Sequence, residues 1–315
     1  MRVDRLAQDD SETPSFAWPP RNAEHGQPPV LDQQKSSTET SHFGALIDSI
    51  ETDLLGRTTL AFDRWADRNG WEPDHPNVYC WRCAGSVGPH EHDGEGCASC
   101  RTKKLSWNRA LRLGRYENEL RDEILSLKLQ AWRPGGAGLG KFLGRVIADQ
   151  LSQAHIRPDQ ARLVPVPTHR WRRIARGVDH TLVLTRAASD ASGCPVNSVL
   201  RARYRPDQVG LSATARAANM KGAFECRKRQ LQRSSRESDN PARVWVLIDD
   251  VRTTGATFAA ASKMLRKGLN AGSIPSVSSE IWVCSVAVAG ERDRRINQKM
   301  TPELKIRAGA EDPLI

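Results

Sequence analysis

An α/β fold, with a mostly parallel sheet flanked by helices, is predicted by three features of the chain. From Leu163 onward, short apolar runs rich in β-branched residues alternate with stretches of helical period. The string Leu247 to Thr257 reads as the end of a strand, a tight Thr/Gly loop and the start of a helix. Upstream, four cysteines in two Cys-x-x-Cys pairs form a small module of their own. Strand–helix alternation implies parallel strands with ligands at their carboxyl ends.

Along the chain, residues 1–41 are rich in Pro, Gln, Ser and acidic side chains without apolar period and read as a disordered tail. A helical lead over 42–77 follows. Phe43, Leu46, Ile47, Ile50 and Leu54 set an amphipathic helix near 42–65, whose apolar face suits a core rather than a membrane because its polar face is not rich in Lys or Arg. After the cysteine module at 78–104 comes a helical connector or hood, 105–160. In it, Leu120, Ile124, Leu127 and Leu129 predict a helix over 117–131, broken by Pro134-Gly135-Gly136. Leu139, Phe142, Leu143, Val146, Ile147 and Leu151 predict a second helix over 138–154. The core is expected over 161–292. It holds a strand at Leu163–Val166, a helix from Asp179 to Ala191, a strand within Val196–Tyr204, and strong strands at Val244–Ile248 and Ile281–Val288. Residues 205–242 read as a long polar excursion, and 293–315 as a C-terminal tail.

Cys80-x-x-Cys83, thirteen residues and Cys97-x-x-Cys100 have the spacing of a structural zinc ribbon, in which four thiolates close a tetrahedral shell. His90 and His92 lie in the intervening loop and are expected to be solvated, since four thiolates already complete the site. Cys284, inside an apolar strand, reads as core.

In Leu247-Ile248-Asp249-Asp250-Val251-Arg252-Thr253-Thr254-Gly255-Ala256-Thr257, two carboxylates end the strand and a loop opens onto a helix N-terminus. Unpaired N–H groups and the helix dipole there make an anion cradle. Thr253, Thr254 and Thr257 add hydroxyls, Gly255 and Ala256 let an anion approach the backbone, and Asp249 and Asp250 suit ribose hydroxyls or waters on a divalent cation. The plainer alternative is a buried strand followed by a capped helix.

A second anion site is expected after the strand that ends at Pro167, where Arg172, Arg173 and Arg176 offer guanidinium forks for phosphate. A solvated basic helix start is the competing reading. The polar loop Gln208 to Asn219 carries one interior cation, Arg216, placed to meet a leaving anion if the loop closes as a lid. An ordinary surface loop is the alternative.

The net charge is +10, and the first forty residues hold four basic against seven acidic side chains, so the remainder stands at +13. Such a balance implies anionic partners, phosphorylated small molecules or nucleic acid. The longest apolar stretch, Ile281 to Gly290, is about half of the ~20 residues that span a bilayer, and the N-terminus lacks the apolar segment of a secretory signal. A cytoplasmic protein without membrane insertion is expected.

Together these residues resemble the ComF-like competence proteins, which pair a zinc ribbon with a type I phosphoribosyltransferase domain. The matching pieces are the four-cysteine ribbon, Tyr116 with Leu127-Lys128, Val164-Pro165-Val166-Pro167, Arg173 to Gly177, Gln208 to Asn219 with Ala223-Phe224, and Leu247 to Thr257. They span about residues 78–290. The resemblance implies Mg-assisted binding of 5-phosphoribosyl 1-pyrophosphate, with Thr253 to Thr257 on the 5-phosphate and Asp249 and Asp250 on the ribose hydroxyls. The loop after Pro167 would hold pyrophosphate, and Asp249, Asp250 and Arg216 would form the catalytic set. The reaction class it implies is transfer of ribosyl phosphate to a nitrogen nucleophile, in a setting of DNA uptake and natural transformation. Where the family reads Arg-Gly-Phe-Asn-Gln, this chain has Arg176-Gly177-Val178-Asp179-His180, a departure that bears on catalysis more than on ligand binding. A rival reading is a non-catalytic module whose ribbon and basic surface bind single-stranded DNA or a DNA-uptake partner.

Overall fold

The computed structural model describes residues 61–88, 90–129, 133–168, 178–203, 222–236, 240–271 and 279–290. Its centre is a four-stranded sheet of β3 (Arg109–Arg115), β4 (Ala161–Pro165), β7 (Val244–Arg252) and β8 (Glu280–Val288). The order across it is β3-β8-β7-β4, and every pairing is parallel. Two further pairs, β1 (His92–Asp93) with β2 (Gly96–Cys97) and β5 (Leu200–Ala202) with β6 (Phe224–Cys226), are antiparallel. Helices are α1 (Phe62–Asn69), α2 (Asn118–Leu129), α3 (Arg133–Gln153), α4 (His180–Ser192), α5 (Lys228–Arg236) and α6 (Ala256–Ala271).

Strand alternation divides the core in two. Val244, Val246 and Ile248 of β7 join Trp282, Cys284 and Val286 of β8 in a cluster with the apolar faces of α1 to α4. Trp245 and Leu247 point the other way, with Ile281 and Val283, and meet Phe258 and Leu265 of α6, Leu231 of α5 and Phe224 of the β5–β6 hairpin. With both faces covered, β7 and β8 read as continuous apolar runs, and Cys284 is fully buried as expected.

Five boundaries differ from expectation, each for a physical reason. Of the helix expected over 42–65, the described part begins at Phe62 and runs to Asn69; it ends on Gly70 at φ 62°. Phe62 packs edge-on against Trp71 and Phe142, so its face does meet the core. The stretch expected as a purely helical connector contains β3, and the sheet therefore extends outside 161–292. Helix α3 starts at Arg133 rather than 138. Pro134 is accepted in a first turn, where its missing N–H has no intrahelical partner to lose. The excursion over 205–242 contains β6 and α5. Finally, β7 does not stop at Ile248: Asp249 to Arg252 remain in register with Ser285 to Val288. Residues 169–177 and 204–221 and both expected tails lie outside the described residues.

Glycines on α3 set how closely it packs. A Cβ on Gly140 would stand 2.6 Å from the Leu184 carbonyl oxygen, and one on Gly144 2.5 Å from that of Ala188. Spaced four apart, they form a row into which α4 is pressed. Asp179 caps α4 by accepting from the Leu182 N–H at 3.3 Å, and Gly193 ends it at φ 71°. Gly144→Ala is expected to lower stability by about 2 kcal/mol, because overpacking against backbone outweighs the gain in helix propensity. Urea unfolding measures this; an unchanged or higher midpoint would show that the two helices separate freely.

Candidate functional site

The carboxyl end of β7 carries the acidic pair. Asp250 is buried at 6% exposure, and its Oδ2 lies 3.0 Å from Lys128 Nζ of α2 and 2.9 Å from His180 Nε2 of α4. Asp249 is half-buried, and its Oδ1 accepts the Asp250 backbone N–H at 2.9 Å. Burial raises the Asp250 carboxyl, but the Lys128 ammonium and the hydrogen bond from His180 outweigh it and hold the group below its ordinary value. Among the described residues, Asp249 has no such counterion at bonding distance. Burial, aided by the charge on Asp250, pushes it up to about 8. The pair thus divides into an ionised member fixed from two helices and a neighbour that keeps its proton at neutral pH.

Beyond Arg252 the chain turns through Thr253, Thr254 and Gly255 into α6. Gly255 sits at φ 80°, a conformation costly for other residues, and a Cβ there would come within 3.1 Å of the Trp107 ring. The Thr254 hydroxyl accepts from the Ala256 N–H at 3.3 Å, so this threonine serves at least in part as cap chemistry. Thr253 and Thr257 are partly exposed. Of the residues expected on phosphate, Thr253 to Thr257 are thus together at one helix start. Arg172, Arg173, Arg176 and Arg216 lie outside the described residues.

Two contributors were not among the expected site residues. Lys128 stood in the sequence as half of Leu127-Lys128, and His180 as a departure from the family pattern; neither carried an assigned role. Nothing in their local spacing announces a contact, because each reaches Asp250 from a different helix.

The four cysteines converge as their spacing predicts. Cys80, Cys83, Cys97 and Cys100 are all buried, and their sulfurs lie within 4.8 Å of one another. Cys80 and Cys100 are 3.7 Å apart, as are Cys83 and Cys97. A tetrahedral zinc with bonds of about 2.3 Å needs sulfurs separated by roughly 3.8 Å, so the residues fit the ion. Backbone N–H groups of Cys97 and Gly85 point at the Cys80 and Cys83 sulfurs at 3.3 and 3.4 Å, which favours thiolates. Gly96 is at φ 98°, and a Cβ there would be 2.9 Å from the Cys100 sulfur. His92 pairs in the β1–β2 hairpin and neither it nor His90 joins the sulfur cluster.

The module is tied to the sheet. Arg112 of β3, 1% exposed, donates to the Ala84 carbonyl and the Ser86 hydroxyl at 3.0 and 2.9 Å and pairs with Asp74 at 2.7 Å. Trp107 Nε1 donates to the Arg82 carbonyl at 2.9 Å. Between the module and the carboxyl ends of β3, β7 and β8 lies a cavity of about 690 Å³, bordered by Lys103, Trp107, Arg115, Arg252, Thr253 and Thr254. Arg252 fills the seam: a Cβ on Gly85 would be 3.9 Å from its Nη2, and one on Gly255 3.7 Å from its Nη1.

The chain is 28% identical over 191 residues to Competence protein F of Haemophilus influenzae, covering 60% of this chain and 79% of that protein. It is 29% identical over 180 residues to DNA utilization protein YhgH of Escherichia coli, covering 56% of this chain and 74% of the relative. The YhgH protein of Salmonella typhimurium is 28% identical over the same length. No family model matches the chain. Among the described residues no helix is long and apolar enough to cross a membrane.

Elemental analysis should find one zinc per chain, lost in Cys80→Ser together with a large fall in melting temperature, because such modules fold on their metal. Metal content unchanged by Cys80→Ser would refute the site. The raised Asp249 gives a second expectation. The unfolded chain loses this proton near pH 4 and the folded chain near 8, so stability falls as pH rises between them. Asp249→Asn should therefore raise the melting temperature at pH 8 and hardly alter it at pH 4.

Proposed function

We propose that this chain, similar to a competence protein and to DNA utilization proteins, is a ComF-like protein that binds 5-phosphoribosyl 1-pyrophosphate and transfers its ribosyl phosphate to a nitrogen nucleophile. The observation that carries the reading is the loop at the end of β7, where a cradle of threonines and a positive-φ glycine follows a buried carboxylate already held in its ionised form. First-turn N–H groups of a helix have no intrahelical partners, and the dipole of α6 favours an anion in front of them. The 5-phosphate belongs there, against Thr253 and Thr257, with Gly255 admitting it to the backbone. Asp250 and Asp249 lie one short step back along the strand, placed to accept from the two ribose hydroxyls. Lys128 and His180 keep Asp250 charged and oriented, so that the carboxylate needs no rearrangement when the sugar arrives.

His180, Asp249 and Asp250 bring ligand atoms within 4.8 Å of one another, a set that could hold a cation, but in this structure the counterion of Asp250 is Lys128. Asp250 Oδ2, the oxygen nearest His180, already faces the Lys128 ammonium, which occupies the role of a counterion. The substrate is accordingly taken as its magnesium complex, the ion neutralising pyrophosphate charge, and the acidic pair serves the ribose. In the reaction, the nucleophile's lone pair forms a bond to the anomeric carbon, the carbon–oxygen bond to pyrophosphate breaks, and pyrophosphate leaves with that electron pair. Arg172, Arg173 and Arg176 are proposed to hold the pyrophosphate, and Arg216 to meet it as it leaves. The cavity beside Trp107 gives an acceptor a route to the same loop.

The names of the relatives, a competence protein and DNA utilization proteins, support a role in DNA uptake. A non-catalytic competence module is the second reading, favoured by His180 in place of the family's glutamine beside the pyrophosphate loop.

Calorimetry with phosphoribosyl pyrophosphate and Mg²⁺ decides between them in part. Micromolar binding, on the order of 8 kcal/mol, is expected for the wild type and its loss for Asp249→Asn/Asp250→Asn. Equal heats from both proteins would remove the sugar-phosphate reading altogether.

A further inference from the structure

At the far end of α6 from the phosphate loop, a groove of about 600 Å³ opens between that helix, the β5–β6 hairpin and the first turn of α5. Six cations line it, Arg201, Arg203, Arg227, Lys228, Arg229 and Lys267, against one carboxylate, Glu225. The fold puts them there by strand alternation. Leu200 turns into the core while Arg201 and Arg203 face out, and Phe224 turns in while Glu225 and Arg227 face out. The platform is firm, because a Cβ on Gly268 of α6 would overlap the Cys226 sulfur at 2.4 Å, so the hairpin lies directly on the helix. Glu225 reaches Arg201 at 2.8 Å and Arg203 at 3.5 Å, which leaves the groove strongly positive. Arg203, Arg227, Lys228, Arg229 and Lys267 are exposed. Lys267 is ten residues along α6 from Thr257, about 15 Å at 1.5 Å per residue, so this is a separate site from the phosphate loop, and it lies off the cysteine module too.

Concentrated like charge on a rigid concave surface is costly unless an anion of repeating charge shares it. We propose that this groove binds a single polynucleotide strand by its phosphates. A flexible strand can dip into a concavity of this size, whereas a duplex, stiff over about 150 base pairs, cannot follow it. Among the described residues, those lining the groove include no aromatic side chain. Binding through the phosphates carries no sequence information, so affinity is independent of sequence.

The test is fluorescence anisotropy with the full chain and a labelled twenty-nucleotide dT strand, without phosphoribosyl pyrophosphate, so its result is independent of whether the sugar phosphate binds. Log K should fall with log salt at a slope of about −3, the value for roughly four phosphates on a single strand. A dA-rich strand should bind within a few-fold of dT, and a duplex of equal length more weakly. Lys228→Glu/Arg229→Glu/Lys267→Glu should weaken binding at least ~10-fold and flatten the slope by about 2, while Arg186→Glu, an exposed cation on α4, should leave both unchanged. If the triple reversal lowers the melting temperature, the neutral pair Arg229→Gln/Lys267→Gln replaces it, with a smaller loss expected. Wild-type affinity in these variants would overturn the assignment. So would an equal loss in the Arg186 control, tighter duplex binding, or displacement of the strand by polyglutamate as readily as by unlabelled dT.

Discussion

Strand β7 is paired with β8 from Val244 to Arg252 but with β4 only from Val244 to Ile248, and the rest of the site follows from this inequality. Up to Ile248 the strand is locked on both edges and buried on both faces. Past it, one edge is released because β4 ends at Pro165, while the other still holds the backbone straight. Asp249 and Asp250 are delivered on a rigid strand to the place where the sheet opens, which is where parallel sheets bind ligands. A loop could not fix two carboxylates so firmly.

Placing charge there requires compensation. A carboxylate taken out of water without a partner neutralises by taking up a proton, and the two aspartates show both outcomes side by side. Asp250 draws a lysine from α2 and a histidine from α4, and stays ionised. Asp249, next to an existing negative charge, keeps its proton to about pH 8. The close packing of α3 on α4 through Gly140 and Gly144 helps set where α4 starts, and so where His180 stands. A packing detail on the far side of the core thereby bears on the electrostatics of the site.

The cysteine module solves a different problem. Too small to bury a core, it is organised about four sulfurs and then fastened to the sheet by Arg112 and Trp107. Gly85 of the module lies against Arg252, and Trp107 against Gly255, so the module forms one wall of the cavity beside the loop that follows β7.

Cys-x-x-Cys spacing, the apolar runs of β7 and β8 and the Thr/Gly string after β7 were legible in the sequence because each is set by local chemistry: metal coordination, burial on both faces, and turn and helix-start geometry. Strand β3 was not, since its inward Arg112 breaks the apolar pattern and finds its partners in Asp74, Ala84 and Ser86, none of which is near it in sequence. Nor was the start of α3, where Pro134 and the following glycines resemble a break until Leu127 of α2 and Val183 of α4 are seen to need the room at Gly136. The two aspartates were evident by themselves; the different protonation states they hold were decided by Lys128 and His180. Those partners arrive from separate helices across the fold, and only the folded chain brings such distant groups to within about 3 Å of the carboxylate.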